Sequence, residues 1–169
     1  LLTAKPVLYA CNVSEHDSAK GNTMSTEVAE KAEEEGAACV IVSAAIEAEI
    51  ATLSDEEAAE FISDMGLKEP GLNRLIRAGY GLLDLLTFFT AGPKEARAWT
   101  VRSPATAPMA AGVIHTDFQR GFIRAETVSY DDYIACQGEA GAKDAGKLRI
   151  EGADYQVKDG DIFHFRFNV

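Results

Sequence analysis

Two short runs decide the fold: Pro6-Val7-Leu8-Tyr9-Ala10-Cys11, leading into Asn12-Val13-Ser14-Glu15-His16-Asp17, and Ala38-Cys39-Val40-Ile41-Val42, leading into Ser43-Ala44-Ala45. Each is a continuous apolar run without alternation, the pattern of a strand buried in a parallel sheet. Between them residues 24–35 have helical spacing. Ser25 is placed to cap that helix, Val28, Ala29 and Ala32 form its apolar stripe, and Gly36 stops it. Strand, helix and strand on short links make a βαβ unit with a right-handed crossover. Ligands of open parallel sheets sit at the carboxyl ends of the strands. The loops that land there are residues 12–17 and Ser43-Ala44-Ala45.

Downstream, Ser54-Asp55-Glu56-Glu57 has the form of a capping box opening a helix that ends at Gly66. Pro70-Gly71 opens another over residues 72–83, with Leu72, Leu75 and Ile76 on one stripe. Residues 85–90 are apolar and aromatic until Ala91-Gly92-Pro93 breaks them, which marks a domain boundary. The pattern then changes. Residues 96–101 read as a strand, 103–108 as a loop, 112–115 as a strand or loop entry, and 116–121 as a turn or one helical turn. Residues 122–129 alternate as a strand and 130–136 form a short helix. Residues 148–150, 155–157 and 162–167 are further short strands, which together predict a small α+β roll.

Of the 169 residues, 47% are hydrophobic and 25% charged, the profile of a folded chain rather than a disordered one. The net charge of −11 is concentrated: residues 1–85 carry 16 acids against 6 bases, and residues 86–169 carry 11 against 10. Such a balance opposes general electrostatic binding to DNA, which needs Lys and Arg to neutralise phosphates. No apolar run is long enough to span a membrane, and no secretory signal is legible, so a cytoplasmic location is expected. Cys11, Cys39 and Cys136 form no C-x-x-C pair and read as reduced thiols. His16, His115 and His164 lie at no metal-ligand spacing, so no metal site is expected. The first residues, Leu1-Leu2-Thr3-Ala4, read as the interior of a longer protein.

At this point the chain resembles the Obg-like ATPase (YchF) family. Asn12-Val13-Ser14-Glu15 follows a buried strand where translation-type GTPases carry their Asn-Lys-x-Asp base-reading motif, and Ser43-Ala44 follows the next strand where they carry Ser-Ala. The flanks agree: Lys5-Pro6-Val7-Leu8-Tyr9, Ser43-Ala44-Ala45-Ile46-Glu47 and Glu69-Pro70-Gly71-Leu72-Asn73-Arg74. So do His115-Thr116-Asp117-Phe118-Gln119-Arg120-Gly121-Phe122 and the closing run Asp159-Gly160-Asp161-Ile162-Phe163-His164-Phe165-Arg166-Phe167-Asn168-Val169.

The resemblance implies three parts. Residues 1–53 would be the last two parallel strands and helix of a P-loop GTPase-type domain. Residues 54–92 would be a connecting helical segment, and residues 93–169 a TGS domain of the β-grasp type. It also implies an ATP-binding, Mg²⁺-dependent, ribosome-associated parent, with the large ribosomal subunit or RNA met through the TGS domain. The base-binding residues would be Asn12, Val13, Glu15, Ser43, Ala44 and Ala45. The phosphate-cradling G-x-x-x-x-G-K-[ST] pattern does not occur in the chain. No catalytic residue is therefore expected in it, nor tight ATP binding or hydrolysis by this chain alone.

Base reading follows from donors and acceptors. An Asp in the fourth place of the motif accepts from guanine N1–H and its 2-amino group, which adenine lacks. Glu15 is one methylene longer, so that geometry is lost, while the Asn12 amide offers a donor and an acceptor to the N6/N7 edge of adenine. Val13 stands in place of a Lys stem and packs on the base only weakly. Phe163, Phe165 and Phe167 share one strand face, as a core ladder or a base-stacking platform. Trp99, flanked by Arg97 and Arg102, leaves a smaller opening for RNA. The alternative to an ATPase part is a stand-alone β-grasp module that binds RNA or a protein partner.

Overall fold

The structure is a computed structural model that describes residues 4–168; Leu1–Thr3, which open the first expected domain, and Val169, which closes the last quoted run, lie outside the described residues. The chain divides into two compact units, Leu1–Leu83 and Asp84–Val169.

The first unit is built on β1 (Leu8–Asn12) and β2 (Ala38–Val42), paired in parallel from Leu8↔Ala38 to Asn12↔Val42. Helix α1 (Thr23–Glu35) connects them. Its cap is Asn22 rather than Ser25: the Asn22 side chain accepts from the Ser25 N–H at 3.0 Å, and Ser25 Oγ accepts from the Asn22 N–H at 2.8 Å. Asn reaches the backbone three residues on as well as Ser does, so the pair forms a reciprocal box. Gly36, at φ 65°, ends the helix in the left-handed region, where a Cβ is costly.

Helix α2 (Ala44–Ile50) follows β2 directly, where a loop was expected over Ser43-Ala44-Ala45. Ala44 and Ala45 are the first residues of that helix, as the high helix propensity of Ala favours. In α3 (Asp55–Asp64) the Ser54–Glu57 box forms as the spacing predicts, with the Ser54 N–H donating to Glu57 at 2.9 Å. Helix α4 (Gly71–Leu82) differs from its expected stripe: Leu72 and Ile76 are half exposed, at 51% and 50%. Gly71 is buried and Arg74 partly so, because the first turn of α4 lies against Val42.

The second unit is a five-stranded mixed sheet in the order β4-β3-β7-β5-β6. Its strands are β3 (Leu85–Ala91), β4 (Ala96–Arg102), β5 (Phe122–Ser129), β6 (Arg149–Glu151) and β7 (Asp161–Phe167). Strands β3 and β4 pair along their whole length, from Leu85↔Arg102 to Ala91↔Ala96. The break at Ala91-Gly92-Pro93 is therefore a hairpin turn, and the unit boundary falls before Asp84 rather than at residue 93. Residues 107–114 form a helix, α5 (Ala107–Ile114), where a loop and a strand were expected. Pro108 suits a first helical turn, and Ala107, Ala110 and Ala111 let the helix lie close on the sheet.

Two short helices, α6 (Thr116–Arg120) and α7 (Tyr130–Ala135), match expectation. A third, α8 (Glu139–Asp144), was not foreseen. The run 155–157 contributes only an isolated bridge, Thr106↔Gln156. The core gathers Phe88, Val101, Ala125, Val157, Phe163 and Phe165. Phe88 meets Phe163 edge to face at 5.7 Å and is fully buried. Among the described residues no helix is long and apolar enough to cross a membrane.

Candidate functional site

The parallel register sets Asn12 beside Val42, so the segments that follow β1 and β2 emerge together. They are bonded to each other. The Ala44 N–H donates to Asn12 Oδ1 at 2.9 Å, and the Val13 N–H donates to the Val42 carbonyl at 2.9 Å. Residues 12 and 44, far apart in sequence, thus form one polar corner at the carboxyl end of the sheet. Asn12, Glu15, Ala44 and Ala45 are exposed there, Val13 is half-buried, and Ser43 is buried at 3%.

The corner modifies two expectations. Asn12 Oδ1 is already engaged by Ala44, whereas among the described residues no protein group bonds its Nδ2–H₂, which leaves a donor unspent. The Ala44 N–H in turn is spent inside the protein. Ser43 occupies the cap of α2, but its side chain makes no cap bond, and among the described residues its Oγ has no hydrogen-bond partner. A buried hydroxyl without a partner is costly and stands out in a folded chain.

Glu15 begins a single 3-10 turn (Glu15–Asp17). Its carbonyl accepts from the Ser18 Oγ–H at 2.7 Å, which holds the turn, and among the described residues no protein group bonds its carboxylate. Asp17 ties the turn to the start of α1. It accepts from Asn22 Nδ2 at 3.1 Å and Ser14 Oγ at 2.9 Å, and these bonds, Asn22 first, hold its carboxyl below the usual carboxylate range. Asn12 and Val13 also line an open cavity of about 310 Å³ with Asn22, Met24, Ser25 and Val28. Glu15, Ser43, Ala44 and Ala45 do not line it.

Cys11 and Cys39 lie on the same face of the two strands, with their sulfurs 3.7 Å apart. Their separation of 28 positions in sequence gave no sign of this. Burial, with the neighbouring Cys11, pushes the Cys39 thiol up.

In the second unit the fold brings His164, Glu126 and Glu139 together, with one ligand atom of each within 4.8 Å of the others. Sequence spacing conceals that trio, which joins β7, β5 and α8. Glu126 is already held by Arg166, at 3.2 and 3.0 Å, and Arg124 stands 3.6 Å away. A metal cation there would face two guanidinium groups, so the trio reads as an ion-pair cluster. His115 caps α6, its Nδ1 accepting from the Asp117 N–H at 3.2 Å. Phe163 and Phe165 belong to the core, whereas Phe167 leaves it and stacks on Phe118 at 3.9 Å. Trp99 packs against the core edge, donates to Thr90 Oγ1 at 2.9 Å and carries Arg97 over its ring.

The nearest approach to a phosphate-cradling pattern is Gly141-Ala142-Lys143-Asp144-Ala145-Gly146-Lys147-Leu148. It has Leu in place of the final Ser or Thr. It also starts inside α8 rather than in a loop that opens a helix, and Lys147 pairs with Asp132 at 3.2 Å.

Residues 85–168 match the family model YchF-GTPase_C, described as a protein of unknown function. The chain is 62% identical over 168 residues to the "Ribosome-binding ATPase YchF" of Haemophilus ducreyi, a match that covers 99% of this chain and 46% of that protein. It is 54% identical over 171 residues to the Bacillus subtilis protein of the same name, covering 47% of it. The chain thus spans about half the length of the curated relatives it matches. The solved Schizosaccharomyces pombe YchF GTPase superposes with a TM-score of 0.82 at 36% identity, over 98% of this chain and 44% of that one. A GTP binding protein from Pyrococcus horikoshii shares the fold, with a TM-score of 0.65 at 18% identity.

Proposed function

Since the chain belongs to the YchF family, we propose that it supplies the base-reading corner of an ATP site and a β-grasp arm for the ribosome, within a cytoplasmic ATPase of about twice its length. One observation carries the reading: the bond from the Ala44 N–H to Asn12 Oδ1 at 2.9 Å. It joins the ends of two parallel strands and leaves the Asn12 amide N–H₂ as the group that meets adenine N7. Glu15, one bond longer than the Asp that captures guanine, follows three residues on, its carboxylate bonded by no protein group among the described residues. Val13 packs on the base, and the backbone of Ser43 and Ala45 completes the slot.

Mg²⁺ and the triphosphate would be held outside this chain, whose sequence carries no G-x-x-x-x-G-K-[ST] motif. We read the chain alone as unable to hydrolyse ATP for the same reason. The second unit fits the β-grasp reading, since β3 and β7 run parallel at Phe89↔Ile162 in the middle of its sheet. Its partner on this reading is the ribosome, in keeping with the name of its relatives.

The test is competitive binding of ATP and GTP to the full-length protein and to its Asn12→Ala variant. The variant should lose roughly 10-fold in ATP affinity, the size of one net hydrogen bond. Unchanged ATP affinity would remove Asn12 from base reading.

A further inference from the structure

The base-reading corner is held from a third direction. Val42 turns its carbonyl towards Val13, on the β1 side, so by strand alternation the Ile41 carbonyl faces the other edge of β2, where no further strand pairs among the described residues. Arg74, on α4, donates from Nη2 to that carbonyl at 3.1 Å. Among the described residues its buried Nε has no hydrogen-bond partner, and the bond to Ile41 is what fixes the guanidinium against β2. One turn earlier, the Gly71 N–H donates to Glu47 Oε1 at 2.7 Å, which ties the start of α4 to α2. Close packing reinforces the tie: a Cβ on Gly71 would stand 3.0 Å from Glu47 Oε1 and 3.3 Å from Val42 Cγ1. Residues 41 and 47 bracket Ser43, Ala44 and Ala45, so both anchors act on the segment whose Ala44 N–H fixes Asn12.

We infer that Arg74 and Glu47 are positioning residues for base recognition, fixing the β2–α2 segment so that Ala44 holds the Asn12 amide in its ligand-facing orientation. Neither reaches the base. Both act through Ala44. The inference rests on the base-reading proposal, and its consequence is that α4 belongs functionally to the nucleotide site although it lies nearly thirty residues beyond it in sequence.

The experiment has two arms. In this chain, amide exchange is followed at Ala44 and, as reference, at Val40 in Arg74→Ala, Glu47→Ala and Glu47→Gln. Arg74→Ala and Glu47→Ala should speed exchange at Ala44 by roughly 5-fold, the weight of one net hydrogen bond, and leave Val40 unchanged. Glu47→Gln keeps a carbonyl oxygen for the Gly71 N–H and should retain most of the protection. Unchanged exchange at Ala44, or equal acceleration at Ala44 and Val40, would overturn the inference.

In the second arm, the full-length protein carrying Arg74→Ala is titrated with ATP and with inorganic tripolyphosphate. ATP affinity should fall severalfold while tripolyphosphate affinity holds. Equal losses for both would mean a general loosening and would overturn the positioning role. A looser Ala44 with ATP affinity intact would support the anchor and overturn the base reading beneath it.

Discussion

On the proposed base reading, Asn12 is one short side chain that serves both the fold and a ligand. Its oxygen closes the corner with Ala44, while the residue as a whole remains exposed. A loop Asn after a strand reads in sequence as a turn former or a base reader, and the residue alone does not choose between them. Only the pairing with Ala44 shows that the amide is oriented. A second residue makes a prediction about acid. Glu126 is held below the usual carboxylate range, first by its bonds to Arg166, which outweigh the opposing effect of burial. A carboxyl depressed in the folded state stabilises fully above the ordinary glutamate range, and that stabilisation fades as the pH falls through its lowered value. Melting of the second unit followed from pH 7 to pH 3 should lose about 1 kcal/mol less in Glu126→Gln than in the parent chain, since Gln never gives up a charge. Parallel pH profiles would show that the Arg166 pair adds nothing to stability.

At the scale of elements, the caps and small residues decide where the chain turns. The sequence pattern placed the start of α1 near residue 25, yet Asn22 and Ser25 are both good capping residues and only the backbone distinguishes them. Asn22 also donates to Asp17, so it joins the 3-10 turn to the helix. Asn22→Ala should destabilise the first unit by about 1 kcal/mol, measured by chemical denaturation, and Ser25→Ala by less. Helix α5 escaped the periodicity reading because it has no charged face: all eight of its residues are apolar, Gly or Pro. Its burial on the sheet sets its conformation, and nothing local announces it. At Gly121 the backbone meets Asn168, whose N–H donates to the Gly121 carbonyl at 2.9 Å. A Cβ there would overlap the Asn168 carbonyl. Gly121→Ala should therefore cost roughly 1–3 kcal/mol and be felt at the end of β7 in amide exchange, whereas Gly79→Ala, which meets nothing within 4 Å, should not destabilise. Equal effects of the two substitutions would remove close approach as the reason for Gly121.

Across the whole molecule the two units differ in how well they bury themselves. The buried hydrophobic residues of the first unit are Ala32 and Ile46 among those described, while the second gathers Phe88, Phe163, Phe165 and Val101 around one centre. Strand β2 is half-buried along its length rather than covered on both faces, as its apolar run had led one to expect. Amide exchange should accordingly show β5 and β7 better protected than β1 and β2. The boundary between the units lies one strand before the Gly92-Pro93 break, because a turn inside a hairpin and a link between domains use the same residues. The parallel pair, its helix and the two segments at its carboxyl end were legible from the runs 6–17 and 38–45. The contribution of α4 was not, since Arg74 and Glu47 carry no local pattern that points to residue 44. The most direct measurement is the ratio of ATP to GTP affinity in the full-length protein and in Val13→Lys with Glu15→Asp. Base reading at this corner predicts a clear preference for ATP that moves towards GTP in the double variant by roughly 10-fold or more, because a purine edge left unpaired costs about 1–3 kcal/mol per group. Equal affinities in the parent protein, or a ratio that does not move in the variant, would contradict it.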